Sequence, residues 1–182
     1  SYEVNRAAAY LRFSQQRLDE AIRHYEKSMT LMETDLNSCS MLLTCYTAQR
    51  NVEAAIRVAK IILTRSAKTL TQDPNNGTAM SYGAIALATL GEAERAKDWI
   101  SRALLIDPEN MNARYNFACA MTGFLKDPDA AIELLGPVFD TMAIHWLNHA
   151  KADPDLDALR DDSRFKAMVA AAEVRLAAAA ID

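Results

Sequence analysis

Between Ala79 and Leu90 the apolar residues Met80, Ala84, Leu87 and Leu90 recur at steps of three and four, the spacing of one helix face. Gly91 follows and supplies a left-handed residue that ends a helix at little cost. A second run, Ala93 to Ile106, sets Ala96, Ile100, Ala103 and Leu104 on one face. Asp107-Pro108 stops it, because proline removes a donor and disfavours a helical residue before it. Asn110 is then placed to cap the next helix. The pattern predicts two helices joined by a tight turn, with small residues where they meet.

That unit is repeated. Leu18-Asp-Glu-Ala-Ile, Val52-Glu-Ala-Ala-Ile, Ala93-Glu-Arg-Ala-Lys and Asp129-Ala-Ala-Ile share one pattern, and their common small residues are Ala21, Ala55, Ala96 and Ala131. The spacings are 34, 41 and 35, a 34-residue period with insertions of seven and one. Asp73-Pro74 and Asp107-Pro108 lie on the same period. A single hairpin cannot bury both of its faces, so the units must stack. Four are predicted, about 2–34, 35–76, 77–110 and 111–138, with a closing segment over 139–182. The first has Glu33 near the place of its closing proline. The second has Arg50-Asn51 in place of the turn glycine, and its second helix is expected to run on from Val52 towards Thr71. In the fourth, Gly136-Pro137 is expected to interrupt the second helix early.

The stretch from Met80 through Leu90-Gly91 to the closing Asp107-Pro108 resembles a tetratricopeptide (TPR) repeat, and the likeness extends over roughly Tyr2 to Phe139. It implies an all-α fold, a right-handed superhelix of four helical hairpins with a C-terminal capping segment. Trp146 to Phe165, with Tyr115-Asn-Phe-Ala-Cys119 and Asp98-Trp99, resembles the closing part of TPR arrays in bacterial signalling proteins, where Ser163 stands in place of a usual proline. Such arrays accompany class III adenylyl cyclase, serine/threonine kinase or winged-helix regulator domains. The resemblance implies a non-catalytic protein-interaction module, binding a protein or peptide or a neighbouring domain of its own chain.

Composition narrows the picture. Of 182 residues, 51% are hydrophobic and 24% charged, as in ordinary globular chains, and five Gly with five Pro are too few for a hairpin-rich β fold. A net charge of −4 gives no electrostatic case for nucleic acid. No apolar stretch approaches the roughly 18 residues that span a bilayer, and no export signal opens the chain. The opening is helix-forming sequence without an initiator Met, as an excised domain would have. Cys39, Cys45 and Cys119 show no CxxC spacing and read as reduced core thiols of a cytoplasmic protein. The eight methionines and both tryptophans, Trp99 and Trp146, read as packing residues.

In stacked hairpins the first helix of each unit lines the concave face. The candidate binding residues are therefore Ser40, Thr44 and Thr47 in the second unit, Ser81, Tyr82 and Ile85 in the third, and Tyr115, Asn116, Cys119 and Thr122 in the fourth. They make a neutral wall of hydroxyls, an amide and rings, suited to a peptide held by apolar anchors and a few hydrogen bonds. The alternative is ordinary solvated helix surface. No Lys/Arg/Asn clamp for a peptide carboxylate is present, which argues against a chaperone-tail receptor. Asp153, Asp155, Asp157, Asp161 and Asp162 begin like a calcium loop, but Ala158 and Arg164 fall where Gly and Glu are needed. They read better as helix caps, with Leu156, Leu159 and Phe165 closing the last apolar layer and Arg160 and Arg164 as ion-pair partners. His145 and His149 share a helix face without an evident third ligand and read as surface or helix-end residues. Neither a nucleophile elbow nor a phosphate loop occurs, and Cys119 with a distant histidine does not specify a nucleophile. No cofactor is expected. A homodimer through the first unit is the rival reading; a small metal or enzymatic domain using His145, His149 or Cys119 is a weaker one.

Overall fold

The computed structural model describes residues 1–179, and the protein is built of helices alone over that span. Eight follow in alternating order: α1 (Tyr2–Ser14), α2 (Leu18–Leu31), α3 (Leu36–Ala48), α4 (Val52–Gln72), α5 (Gly77–Thr89), α6 (Ala93–Ile106), α7 (Met111–Ala120) and α8 (Pro128–Thr141). A π-helical turn, Met121–Leu125, extends α7. Then come α9 (Ile144–Ala152), a 3₁₀ turn (Pro154–Leu159) and α10 (Ser163–Ala179). Each of α1 to α5 packs on the next, α5 packs on both α6 and α7, and α7 packs on α8, giving a helical-repeat solenoid. Residues 180–182, at the end of the expected closing segment, lie outside the described span.

The starts of the four inner helices are fixed by a side chain. Ser1, Asp35, Asn76 and Asn110 accept from the backbone N–H three residues on, at the starts of α1, α3, α5 and α7. The turns inside the hairpins share one device. Gln16, Arg50, Gly91 and Lys126 all have positive φ, and their spacings of 34, 41 and 35 are those of the alanine markers. Only one of the four is glycine, so the second unit makes its turn through Arg50 itself, at φ 56. The left-handed conformation costs a side-chain-bearing residue roughly 1–2 kcal/mol, which the packed hairpin overrides.

The two helix layers differ in a way their sequences explain. Even-numbered helices bury one stripe: Ala21, Ile22, Tyr25 and Ser28 in α2, and Ala96, Ile100 and Ala103 in α6. The inner helices α3, α5 and α7 are buried on most sides, as α5 is from Ala79 to Ala88, while α1, at the end of the stack, buries only Ala9 and Phe13. At one point helix and ring meet without a gap. Gly83 of α5 faces Trp99 of α6, and Trp99 packs against both halves of the apolar core. The seven extra residues lengthen α4 to Gln72, which brings Ser66 to the same junction and Leu70 against the core.

One local expectation is corrected. Gly136-Pro137 does not interrupt the second helix of the fourth unit, because α8 continues through both residues to Thr141, beyond the expected end of that unit at 138. Gly136 has no Cβ to clash with the proline ring. Pro137 leaves the carbonyl of Glu133 without its helical donor, and Glu133 is exposed to water.

The closing segment divides in two. Its α10 packs on α8, with Phe165 edge-on to Phe139 at 5.6 Å and Arg175 donating to the carbonyls of Phe139 and Met142. Leu156, Leu159 and Phe165 are buried in the last apolar cluster. Meanwhile α9 and the 3₁₀ turn run along the inside of the solenoid and reach back to α1, α3 and α7. Gln16 Nε2, at the end of α1, donates to the carbonyl of Ala152 at 3.0 Å. The first helix and the closing segment are thereby joined, and the closing segment covers part of the inner face.

Candidate functional site

Between the inner helices and the closing segment lies a half-open cavity of about 470 Å³. Its wall comes from all four inner helices: Arg6 and Tyr10 of α1, Asn37, Ser40, Met41 and Thr44 of α3, Tyr82 and Ile85 of α5, and Asn112, Tyr115, Asn116 and Cys119 of α7. The closing segment completes it with His145, Trp146, His149, Asp153 and Asp155. The outer helices α2, α4, α6 and α8 contribute nothing to this wall.

Seven of the ten residues expected on the concave face line the cavity: Ser40, Thr44, Tyr82, Ile85, Tyr115, Asn116 and Cys119. Three do not. Ser81 is buried and donates to the carbonyl of Thr78, Thr122 is buried and donates to that of Ala118, and the hydroxyl of Thr47 is buried without a partner. The wall residues are not solvated helix surface, since Ser40, Thr44, Tyr82, Ile85, Tyr115 and Cys119 are all buried. The closing segment covers them.

That segment brings in charge which the inner helices lack. The Tyr115 hydroxyl donates to Asp153 Oδ2 at 2.7 Å, and His149 Nε2 stands 3.4 Å from the same oxygen. The other oxygen of Asp153 accepts from the backbone N–H of Asp155 at 3.0 Å, capping the 3₁₀ turn. Thr44 Oγ1 donates to Asp155 Oδ2 at 2.7 Å. Two neighbouring carboxylates are thus pinned across the cavity by α3 and α7.

His149 is not the surface residue its position suggested. It is 9% exposed, and its ring lies 5.5–5.9 Å from those of Tyr10, Phe13, Tyr115 and Trp146. Its Nε2 faces Asp153, and its Nδ1 has no partner. His145, four residues earlier, is exposed, so the two do not form a shared ligand pair.

Burial, and then the charge of Asp153, raises the carboxyl of Asp155 to about 8, against the lowering effect of the Thr44 hydrogen bond. The same two causes push the Tyr115 hydroxyl and the Cys119 thiol well above their ordinary values. Burial raises Cys45 to about 12 and Cys39 to about 11. All three thiols are held protonated, the opposite of what a nucleophile requires.

A pH dependence follows. Unfolded, Asp155 ionises near its ordinary value; folded, it keeps its proton up to about pH 8. Between those limits the folded state holds one proton more, so stability falls as pH rises, by at most about 1.4 kcal/mol per unit, and levels off above. Thermal melts from about pH 5 to about pH 9 should show this slope, and Asp155→Asn should flatten it and melt higher than wild type at about pH 8. Equal slopes in the two proteins would remove the argument.

No protein-family model matches the chain, and no curated protein matches it. Solved structures do. A crystal structure of MamA is similar over 77% of this chain and 77% of its own, at 15% identity and a TM-score of 0.44. A second MamA structure is similar over 97% and 93%, at 18% identity and a TM-score of 0.43. YrrB, described as a TPR protein with an unusual peptide-binding site, is similar over 79% and 88%, at 18% identity and a TM-score of 0.39.

The residues that sequence reasoning placed elsewhere are those of the closing segment. Asp153 and Asp155 read as helix caps, and His149 as a surface or helix-end residue. Their actual partners are one another and Tyr115, Thr44 and Tyr10, on helices far away in sequence. No helix among the described residues is long and apolar enough to cross a membrane.

Proposed function

We propose that the chain is a non-catalytic protein-interaction module, a right-handed TPR array of four hairpins serving a multidomain bacterial signalling protein as a regulatory or scaffolding part. Its partner is a peptide segment, from another protein or from a neighbouring domain. The observation that carries this reading is the inner wall itself, to which all four inner helices give hydroxyl, amide, aromatic and aliphatic groups around one preformed cavity. A preformed wall spares the cost of ordering side chains on binding. Hydrogen-bonding groups set among apolar ones suit an extended peptide.

Peptides selected from a random library on the immobilised protein test it. Asn116→Trp, at a half-buried wall position, fills the cavity, while Lys60→Glu alters the exposed outer face of α4. Selected peptides should lose binding to the first variant and keep it with the second. Equal binding to both would place the interaction outside the cavity and overturn the proposal.

A second reading has its own observation. Val4 and Leu11 of α1 and Leu31 of α2 are each more than half exposed on the first hairpin, the layer through which two chains would pair. Light scattering over a concentration series tests it: a rise to twice the monomer mass that Leu11→Glu abolishes supports pairing, and a constant monomer mass excludes it.

A further inference from the structure

We infer that the inner cavity takes an organic cation, an ammonium or guanidinium group on an alkyl stem, held by Asp155, Asp153 and His149 among the surrounding rings. The inference deepens the module reading, on which it rests for the cavity being the binding site.

Charge is the first ground. Asp153 and Asp155 stand side by side in the wall, and among the described residues no Lys or Arg nitrogen lies within 4.0 Å of either carboxylate. Two adjacent acidic groups whose one basic neighbour within 4.0 Å among the described residues is the His149 imidazole favour a cation that arrives from outside. The groups facing them are Thr44 and Cys45 from α3, Tyr115 and Cys119 from α7, His149 from α9 and Asp157 from the 3₁₀ turn. Arg160 donates to the backbone carbonyl of Asp153, and Arg6, at the rim, lies over the Tyr2 ring.

An unpartnered imidazole nitrogen is the second ground. His149 is more than nine-tenths buried in the wall, and its Nδ1 has no hydrogen-bond partner. Asp155 Oδ2 receives Thr44, and Asp155 itself is only half-buried at the cavity. An ammonium carries three N–H donors and no acceptor, as acidic groups require. Tyr10, Tyr82, Tyr115 and Trp146 also line the cavity and supply the ring faces that attract cations.

Size and ligand count separate an organic cation from a metal ion. Cys119 Sγ and one oxygen each of Asp153 and Asp155 lie within 4.8 Å of one another, a grouping that invites a metal. Yet three ligands, of which the thiol is held protonated, are fewer than the four that a structural metal site takes. The cavity of about 470 Å³ has room for roughly fifteen waters, far more than one ion needs and within the range of small-ligand pockets. Ile85 and Met41 supply apolar surface for an alkyl stem.

Calorimetric titration of the full chain with pentylamine, agmatine and the peptide acetyl-Gly-Lys-Gly-amide tests the inference, with 1-pentanol as the neutral counterpart and zinc and magnesium as metal probes. The amines should bind about tenfold or more tightly than pentanol. Asp155→Asn should lose that margin while melting no lower than wild type at neutral pH. Since the arriving cation replaces the proton on Asp155, amine affinity should rise from about pH 6 to about pH 8.5. Pentanol binding as well as the amines, full binding retained by Asp155→Asn, or heat from a metal ion alone would each overturn the inference. Binding of free amines but not of the lysine peptide assigns a small-molecule ligand, and the reverse assigns a basic side chain; either supports a cation site. Library peptides that occupy the cavity without Lys or Arg would overturn the cation inference and leave the module reading intact. Amine binding with no peptide selected at all would do the opposite.

Discussion

Gly83→Ala is expected to be among the most damaging single changes in this protein, although it adds one methyl group in the middle of a helix. Away from contacts the substitution would favour the helix, by roughly 1 kcal/mol. Here the new Cβ would stand 2.2 Å from Trp99 Cζ3, 2.7 Å from Cε3 and 3.3 Å from the Cβ of Ser66. The ring cannot slide away freely, because Trp99 packs against both halves of the core. Overpacking of this kind costs typically about 1–3 kcal/mol and occasionally more; with ring and backbone both fixed, the upper part of that range is expected. Chemical denaturation measures it directly. A double-mutant cycle with Trp99→Leu identifies the cause, since the glycine change should cost much less once the ring is gone. A Gly83→Ala protein as stable as wild type would show that α5 and α6 are not in this contact.

Leu156→Ala should be comparably costly and more informative. Leu156 is fully buried in the last core cluster, on a 3₁₀ turn of six residues that has too few internal bonds to stand alone. Large-to-small changes of this kind cost about 2–5 kcal/mol. The loss should be local before it is global. Hydrogen exchange over α9 and the 3₁₀ turn should quicken well before that over α5, and the hydrogen bonds of Thr44 and Tyr115 to the two aspartates should loosen with it. Uniform quickening over the whole chain would mean that the closing segment is an inseparable part of the core.

These two positions mark what the sequence made legible. The repeat was visible because its markers are local: small residues at Ala21, Ala55, Ala96 and Ala131, and the Asp-Pro pairs. The inner helices followed from the architecture, and most of the wall residues with them. The turns were only partly visible, since Gly91 announces its backbone conformation while Gln16, Arg50 and Lys126 reach the same conformation with ordinary side chains. Gly83 reads merely as one more small residue until the ring opposite it is known. The closing segment was the least legible. Gln16 and Ala152 are 136 residues apart, and no periodicity reports a contact of that separation. Asp153 does cap a turn, as its pattern suggests, but only one of its oxygens does so; the other serves Tyr115 and His149. A capping signal and a site residue can be the same side chain, and local pattern shows just the first role.

The central claim is that ligands enter the inner cavity closed by the C-terminal segment, and the chain carries its own reporters for it. It has two tryptophans. Trp146 lines the cavity, while Trp99 packs outside it between α5 and α6. With both replaced by 5-fluorotryptophan and assigned through Trp99→Phe and Trp146→Phe, fluorine NMR follows each during titration with a selected peptide or with pentylamine. The Trp146 resonance should move with saturation while the Trp99 resonance stays in place. Binding that shifts Trp99 and leaves Trp146 unmoved would contradict it.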